Sequence, residues 1–373
     1  MKNEIAQAFL LKVMQNSTID VVNDTRKYFQ TMAKYKYDDY QQFSPGMRFV
    51  ERLALWLKQF SDEDKPVALR FIRDRLIFIS QPEMNLLISS SFPDLLRDYL
   101  IKDISNQINA PEYHVLKILN SLEYKKLVRQ SLFCGMSDGA KIEIFRRANA
   151  GIISHEQIYQ TYELSEARAA KMQEELIKDL EKITKAKLNE DDKKFKRLFL
   201  LDDFSASGTS YLKSSEGVLK GKIAALYKSI FEHSKLKEIF DTDNLKVYIV
   251  LYLCTEQAKA QIEADFHTLQ QQYSNTPELL CMHIIPNSDK LNDISDKEIL
   301  EICRKDVYYD SSELEDEHTR KGGNDVKLGF GKCALPLILA HNTPNNSVPI
   351  LWSYDTSNIF KGLFPRIPRH KEI

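Results

Sequence analysis

Arg197-Leu198-Phe199-Leu200-Leu201-Asp202-Asp203-Phe204-Ser205-Ala206-Ser207-Gly208-Thr209-Ser210 is the stretch on which the fold is read. A short apolar run, Leu198–Leu201, ends in two consecutive carboxylates, and small residues around one glycine follow. Small residues let the backbone approach an anion closely, and Gly208 tolerates a positive φ because it has no Cβ. Successive N–H groups in such a turn make an anion-binding concavity. Ser205, Ser207, Thr209 and Ser210 add hydroxyl donors. A helix starting nearby would turn its positive end toward the same place.

Outward from this stretch, apolar runs alternate with long polar segments of helical spacing. The runs are Leu132–Met136, Leu198–Leu201, Val247–Cys254, Leu279–Ile285 and, less cleanly, Ala334–Ala340. Between them lie Leu164–Leu188, Leu219–Phe231 and Glu256–Tyr273. Strands buried on both faces and separated by helices predict a mostly parallel sheet flanked by helices. Before about residue 125 the chain reads as helix. Arg48–Phe60 sets Phe49, Leu53, Trp56 and Leu57 on one stripe, and Val67–Ile79 repeats the pattern. Pro82, Pro93 and Pro111 punctuate further helical pieces at Glu83–Ile88, Leu95–Ile108 and Glu112–Leu122. No repeat and no low-complexity segment appears. The expected organisation is a helical N-terminal region, residues 1–125, followed by an α/β domain, residues 126–373. Ligands of such sheets bind beyond the carboxyl ends of the strands.

Composition narrows the classes of function. Of the 373 residues, 43% are hydrophobic and 28% charged, which is ample for a packed core. Lys plus Arg (52) and Asp plus Glu (53) leave a formal charge of -1, so nothing draws the whole molecule to nucleic acid or an anionic membrane. The lysine-rich stretch Lys178–Arg197 is interrupted by acidic residues and reads as a solvated helix and loop. Cys134, Cys254, Cys281, Cys303 and Cys333 show no C-x-x-C spacing, which argues against a disulfide framework and a zinc site. Met1-Lys2-Asn3-Glu4 leads into an amphipathic stretch rather than a signal peptide, and Val247–Cys254 is too short to cross a membrane. The cytoplasm is the expected compartment. His114, His155, His233, His267, His283 and His370 lack metal-ligand spacing. Neither G-x-x-x-x-G-K-[ST] nor G-x-G-x-x-G occurs, which disfavours triphosphate hydrolysis and dinucleotide redox chemistry.

Two carboxylates beside an anion loop must face something neutral or cationic. Ribose hydroxyls, bound as donors, or a Mg²⁺ between sugar and diphosphate both meet that need. The plainer alternative is a strand-to-helix turn whose aspartates cap the next helix. A strand, an acidic pair, two usually apolar residues and a small Thr/Ser/Gly loop resemble the phosphoribosyl pyrophosphate motif of type I phosphoribosyltransferases. That resemblance implies ribose contacts from Asp202 and Asp203. It also implies that the loop, Ser205 and Ala206 through Ser210, cradles the 5′-phosphate. Ser205 departs from the pattern, standing at a position that is usually apolar.

Further stretches are Gly135-Met-Ser-Asp-Gly-Ala140, Leu219-Lys-Gly-Lys222, His341-Asn-Thr-Pro-Asn-Asn346 and Pro349-Ile-Leu-Trp352. With Asp202–Ser210 they resemble divergent phosphoribosyltransferase-like proteins of bacterial conflict (anti-phage defence) systems, over roughly residues 125 to 365. The loop with Gly135, Ser137, Asp138 and Gly139 would then contact pyrophosphate, and an Asp-Gly turn is its alternative. Arg146 and Arg147 have the fork geometry for phosphate but fit a solvated helix face better. Lys220 and Lys222 reach a diphosphate as point charges or remain solvated. His341 and Asn342–Asn346 suit a planar heterocycle, with Trp352 or Phe330 to stack on it, or else form a polar Asx turn. His318 lies in the charged stretch Ser311–Lys327, expected to be a surface loop.

The leading expectation is phosphoribosyl transfer, or hydrolysis of a phosphoribosyl compound, with phosphoribosyl pyrophosphate and Mg²⁺ at Asp202–Ser210. Such a reaction passes through an oxocarbenium-like transition state, which asks for positioning and charge stabilisation. Asp138 and His341 are the candidate acid or base residues. The competing expectation is a module that kept the loop, lost the chemistry and signals occupancy to a partner protein of the same defence system. The N-terminal helices are expected to pack on the sheet or to form a subunit interface in a homo-oligomer.

Overall fold

The structure is a computed structural model, and it describes residues 3–14, 18–215, 218–232, 234–315, 322–323 and 325–367. His233, His318 and His370 lie outside the described residues. The strands are β1 (Ile77–Ile79), β2 (Ser131–Gly135), β3 (Ile158–Gln160), β4 (Arg197–Ser205), β5 (Lys213–Ser215), β6 (Val218–Lys220), β7 (Lys246–Thr255), β8 (Glu278–Ile285) and β9 (Leu337–Leu339). By packing, the chain divides into two compact units, residues 1–84 with 286–373, and residues 85–285. The first unit is discontinuous in sequence, so it is not delimited by the change of texture near residue 125.

The continuous unit is an α/β sheet domain. Its five strands run in the order β3-β2-β4-β7-β8, with every neighbouring pair parallel. A parallel sheet is covered on both faces, and here the two faces differ in chemistry. One is aliphatic: Leu132, Leu198, Leu200, Val247 and Ile249 pack with buried residues of the helices Glu166–Thr184, Lys222–Glu232 and Glu256–Gln270. The other is aromatic. Phe133 stacks on Phe199 at 5.0 Å and Phe199 on Tyr248 at 4.9 Å, with Phe92, Phe145 and Tyr99 against that ladder. Side chains alternate along each strand, so neighbouring residues of Leu198-Phe199-Leu200 supply both faces.

The sheet confirms the mostly parallel α/β expectation, and four of the five apolar runs coincide with β2, β4, β7 and β8. Ala334–Ala340 is corrected: its β9 pairs with β1 in a two-stranded parallel sheet of the discontinuous unit, not with the five-stranded sheet. Val67–Ile79 is corrected as well, because helix covers Asp64–Asp74 and Ile77-Phe78-Ile79 is β1. Leu219–Phe231 does not begin as helix, since Leu219 and Lys220 belong to the β5–β6 hairpin.

In the discontinuous unit, one core joins the N-terminal helices to the C-terminal segment. Phe29, Phe49, Trp56 and Phe60 pack with Ile350, Phe360 and Phe364. Trp56 Nε1 donates to the Ile350 carbonyl at 2.8 Å. Among the described residues, no helix is long and apolar enough to cross a membrane.

Candidate functional site

The chain enters its five-stranded sheet at β2, then moves to β3 on one side and to β4 on the other. The direction of winding therefore reverses between β2 and β4, and the loops leaving that pair diverge to open a crevice at the carboxyl edge. These are the loop Met136–Lys141 and the loop Ala206–Leu212, so topology sets both sequence-predicted stretches at one place.

Asp202 turns inward. It is only 2% exposed, and its carboxylate is fully engaged. Oδ1 accepts from Ser137 Oγ and, at 3.2 Å, from the Asp203 N–H. Oδ2 accepts from Tyr211 Oη at 2.9 Å and Lys222 Nζ at 3.1 Å. Burial and the neighbouring Asp203 charge push the Asp202 carboxyl above its usual range, while Lys222 and Ser137 pull it back. Burial, with Asp202 and Asp203 beside it, drives the Tyr211 hydroxyl far above its ordinary value, so it stays protonated and donates. Lys222 also lies 5.6 Å over the Tyr211 ring.

Asp203, the next residue on the strand, takes the opposite direction and is half-buried. A Cβ added at Gly139 would overlap its carboxylate, so the β2 loop lies in close contact with Asp203. Lys141 holds a left-handed conformation at φ 44°. Burial lowers its pKa, and Asp203 opposes that shift.

Beyond β4, the Ala206 carbonyl accepts from Thr255 Oγ1 at 2.7 Å, and that oxygen also receives the Ala258 N–H at 3.0 Å. The loop is thus fastened to the first turn of the helix Glu256–Gln270. Gly208 follows at φ 79°, where an added Cβ would stand 2.8 Å from the Ala258 carbonyl oxygen. Ser207 Oγ and Thr209 Oγ1 share a 3.1 Å hydrogen bond. Among the described residues, no acceptor takes the backbone N–H groups of Ser207, Gly208, Thr209 or Ser210. Four successive donors next to a positive-φ glycine are the elements of an anion nest.

The crevice therefore gathers Ser137, Gly139, Asp202, Asp203 and Lys222 through direct contacts, with Ser207–Ser210 continuing from them. Gly135 ends β2 and is buried, and the Gln160 and Ile142 side chains leave no room for a Cβ there. Asp138 is exposed in the β2 loop. Ser205 and Ala206 are buried, and Lys220 is exposed at the end of β6. Arg146 and Arg147 both pair with Glu143 on their own helix. His341 belongs to the discontinuous unit, where its carbonyl accepts from Gln42. Trp352 is a core residue of that unit, its Nε1 donating to the Ser347 carbonyl, which corrects its reading as a stacking platform. Thr343 is buried against Tyr40 and the Phe364 carbonyl, so the polar turn there is held from within.

Tyr211, Lys141 and Thr255 are the site residues that sequence reasoning missed. Only Tyr211 carried a signal, as an aromatic closing a run of small polar residues. Among the described residues, no group of three or more His, Cys, Asp or Glu side chains is set to hold a metal ion. With Asp202 saturated, these residues do not fit a Mg²⁺ cage made by the protein alone.

No curated protein and no solved structure matches the chain. A family model described as PRTase-CE matches residues 53–366, beginning well before residue 125 and taking in most of both units. With the acidic pair and the small-residue loop at the reversal point of a parallel sheet, the chain belongs to this phosphoribosyltransferase-like family.

Proposed function

We propose that the crevice between β2 and β4 binds phosphoribosyl pyrophosphate or a related ribose 5-phosphate ligand, and that the protein acts in bacterial anti-phage defence. The observation that carries the binding assignment is the set of four N–H groups, Ser207 to Ser210, without an acceptor among the described residues at the carboxyl edge of the sheet. A phosphate there would receive backbone donors and the Ser207 and Thr209 hydroxyls. Asp203, the half-buried member of the acidic pair, is the residue for the ribose hydroxyls. Asp202 acts as the brace, tying together Ser137, Tyr211 and Lys222. Mg²⁺ would enter as a complex with the ligand's diphosphate and neutralise its charge. In a transfer reaction the bond from the anomeric carbon to the diphosphate oxygen breaks, pyrophosphate leaves with the electron pair, and an acceptor nitrogen or water adds at that carbon. The defence role rests on the family resemblance.

A second reading, binding without chemistry and signalling to a partner protein, is favoured by the state of Asp202. A motif carboxylate with four internal partners has nothing left for a substrate. Calorimetric titration with phosphoribosyl pyrophosphate and Mg²⁺ tests the site. Saturable binding by the wild type, lost in Gly208→Val and weakened in Asp203→Asn, is expected. A folded wild type that binds nothing removes the ligand assignment. Release of pyrophosphate over time then separates transfer or hydrolysis from sensing.

A further inference from the structure

The loops of the crevice leave the carboxyl ends of the strands, but the α/β unit also has a cavity at their amino-terminal ends. It measures about 540 Å³, within the range of small-molecule sites, and lies where the chain enters β2 and β3. Phe92, Leu119, Val128, Ile152 and Ile183 give it apolar walls. Among the described residues, four cations, Arg97, Lys125, Arg129 and Lys182, also line it, against one lining carboxylate, Asp179. That carboxylate is already committed, accepting from Arg129 Nε at 2.9 Å and Lys182 Nζ at 3.5 Å.

Arg129 is the decisive residue. It is 4% exposed, yet among the described residues Nη1 and Nη2 have no hydrogen-bond partner. Arg97 Nε, on the same cavity, is likewise buried without a partner among the described residues. Buried donors are almost always satisfied, and leaving charged ones unsatisfied is costly. Guanidinium groups with spare N–H donors, set into apolar walls, match one ligand chemistry: a compact apolar body ending in a carboxylate or phosphate. We propose that this cavity is a second binding site, for a small organic anion, separate from the β2–β4 crevice. The two sites lie at opposite ends of the five-residue strand β2.

The test uses the full chain and two probe anions, phenyl phosphate and benzoate, read by displacement of anilinonaphthalene sulfonate fluorescence. Benzyl alcohol is the neutral control. One saturable site is expected, with both anions competing and the alcohol far weaker. Arg97→Gln and Lys125→Gln, at half-buried and exposed positions, avoid the folding risk of altering Arg129. Each is expected to weaken both anions about tenfold, as loss of a charge-assisted hydrogen bond does. Gly208→Val, which spoils the crevice loop, is expected to leave them unchanged. Lack of saturable binding overturns the proposal, as does equal binding of the alcohol. Loss of binding in Gly208→Val with retention in the two cation variants overturns it too, by assigning the anions to the crevice.

Discussion

Asp202 shows how one carboxylate of an acidic pair is turned to structural use. Its partners come from three segments: Ser137 after β2, Tyr211 after the loop, and Lys222 at the start of a helix. The raised pKa gives that arrangement a pH signature. A carboxyl whose folded-state pKa exceeds its unfolded value stabilises the fold below the unfolded value and loses that contribution as pH rises through the folded one. For Asp202 the window opens at its ordinary value of 3.8 and extends upward. Asp202→Asn has no such titration, so the melting temperature of the variant minus that of wild type is expected to become more positive from pH 4 to pH 8. A flat difference would mean that Lys222 and Ser137 cancel the burial effect. Gly208 makes a sharper claim. Its φ of 79°, and the 2.8 Å separation of an added Cβ from the Ala258 carbonyl oxygen, strain any side chain. Gly208→Ala should cost about 1–3 kcal/mol in denaturant unfolding, the usual penalty for such strain.

At the scale of elements, Thr255 joins two functions in one hydroxyl. It caps the helix Glu256–Gln270 through the Ala258 N–H and fastens the loop through the Ala206 carbonyl. Thr255→Ala is expected to lose about 1–2 kcal/mol, the upper part of the range for an N-cap, with Thr255→Ser restoring most of it. Denaturant midpoints of the two variants decide this. The same scale shows what the sequence makes legible. β2, β4 and β7 are largely buried on both faces, which writes them as continuous apolar runs. β8 is legible too, although it lies at the sheet edge with His283 and Ile284 exposed. β3 has three residues at the sheet edge, and β5 and β6 have three each in a hairpin, too few for a period to register. Ile77-Phe78-Ile79 continues a helical stripe on paper, but its strand partner is Leu337–Leu339, far along the chain. Local pattern has no access to that pairing. In the site, the loop and acidic pair were legible because they are contiguous, whereas the inward turn of Asp202 depends on Tyr211 and Lys222, which only the fold brings to it.

At the scale of the molecule, the two compact units make a prediction that opposes a cut at residue 125. The unit spanning residues 85–285 carries its sheet, both sheet-covering layers and its core within one continuous segment. The N-terminal helices do not carry theirs. Phe49 stacks on Phe364, Trp56 donates to the Ile350 carbonyl, and Arg52 reaches Gly362 and Asp355, all supplied by the C-terminal segment. A fragment of residues 1–125 would leave those faces in water, so it is expected to show no cooperative unfolding transition. A fragment of residues 81–285, which keeps the helix Gln81–Ser91 whole, is expected to unfold cooperatively. The tryptophans make the comparison clean. The chain has two, Trp56 and Trp352, both buried in the discontinuous unit. Tryptophan fluorescence of the full chain therefore reports that unit alone, whereas far-ultraviolet circular dichroism reports both. Residues 81–285 should melt by circular dichroism with no tryptophan signal, and residues 1–125 should show the red-shifted emission of a solvated Trp56. A cooperative melt of 1–125 with blue-shifted emission would mean that the helices hold a core of their own, and the C-terminal segment would then be an addition to it.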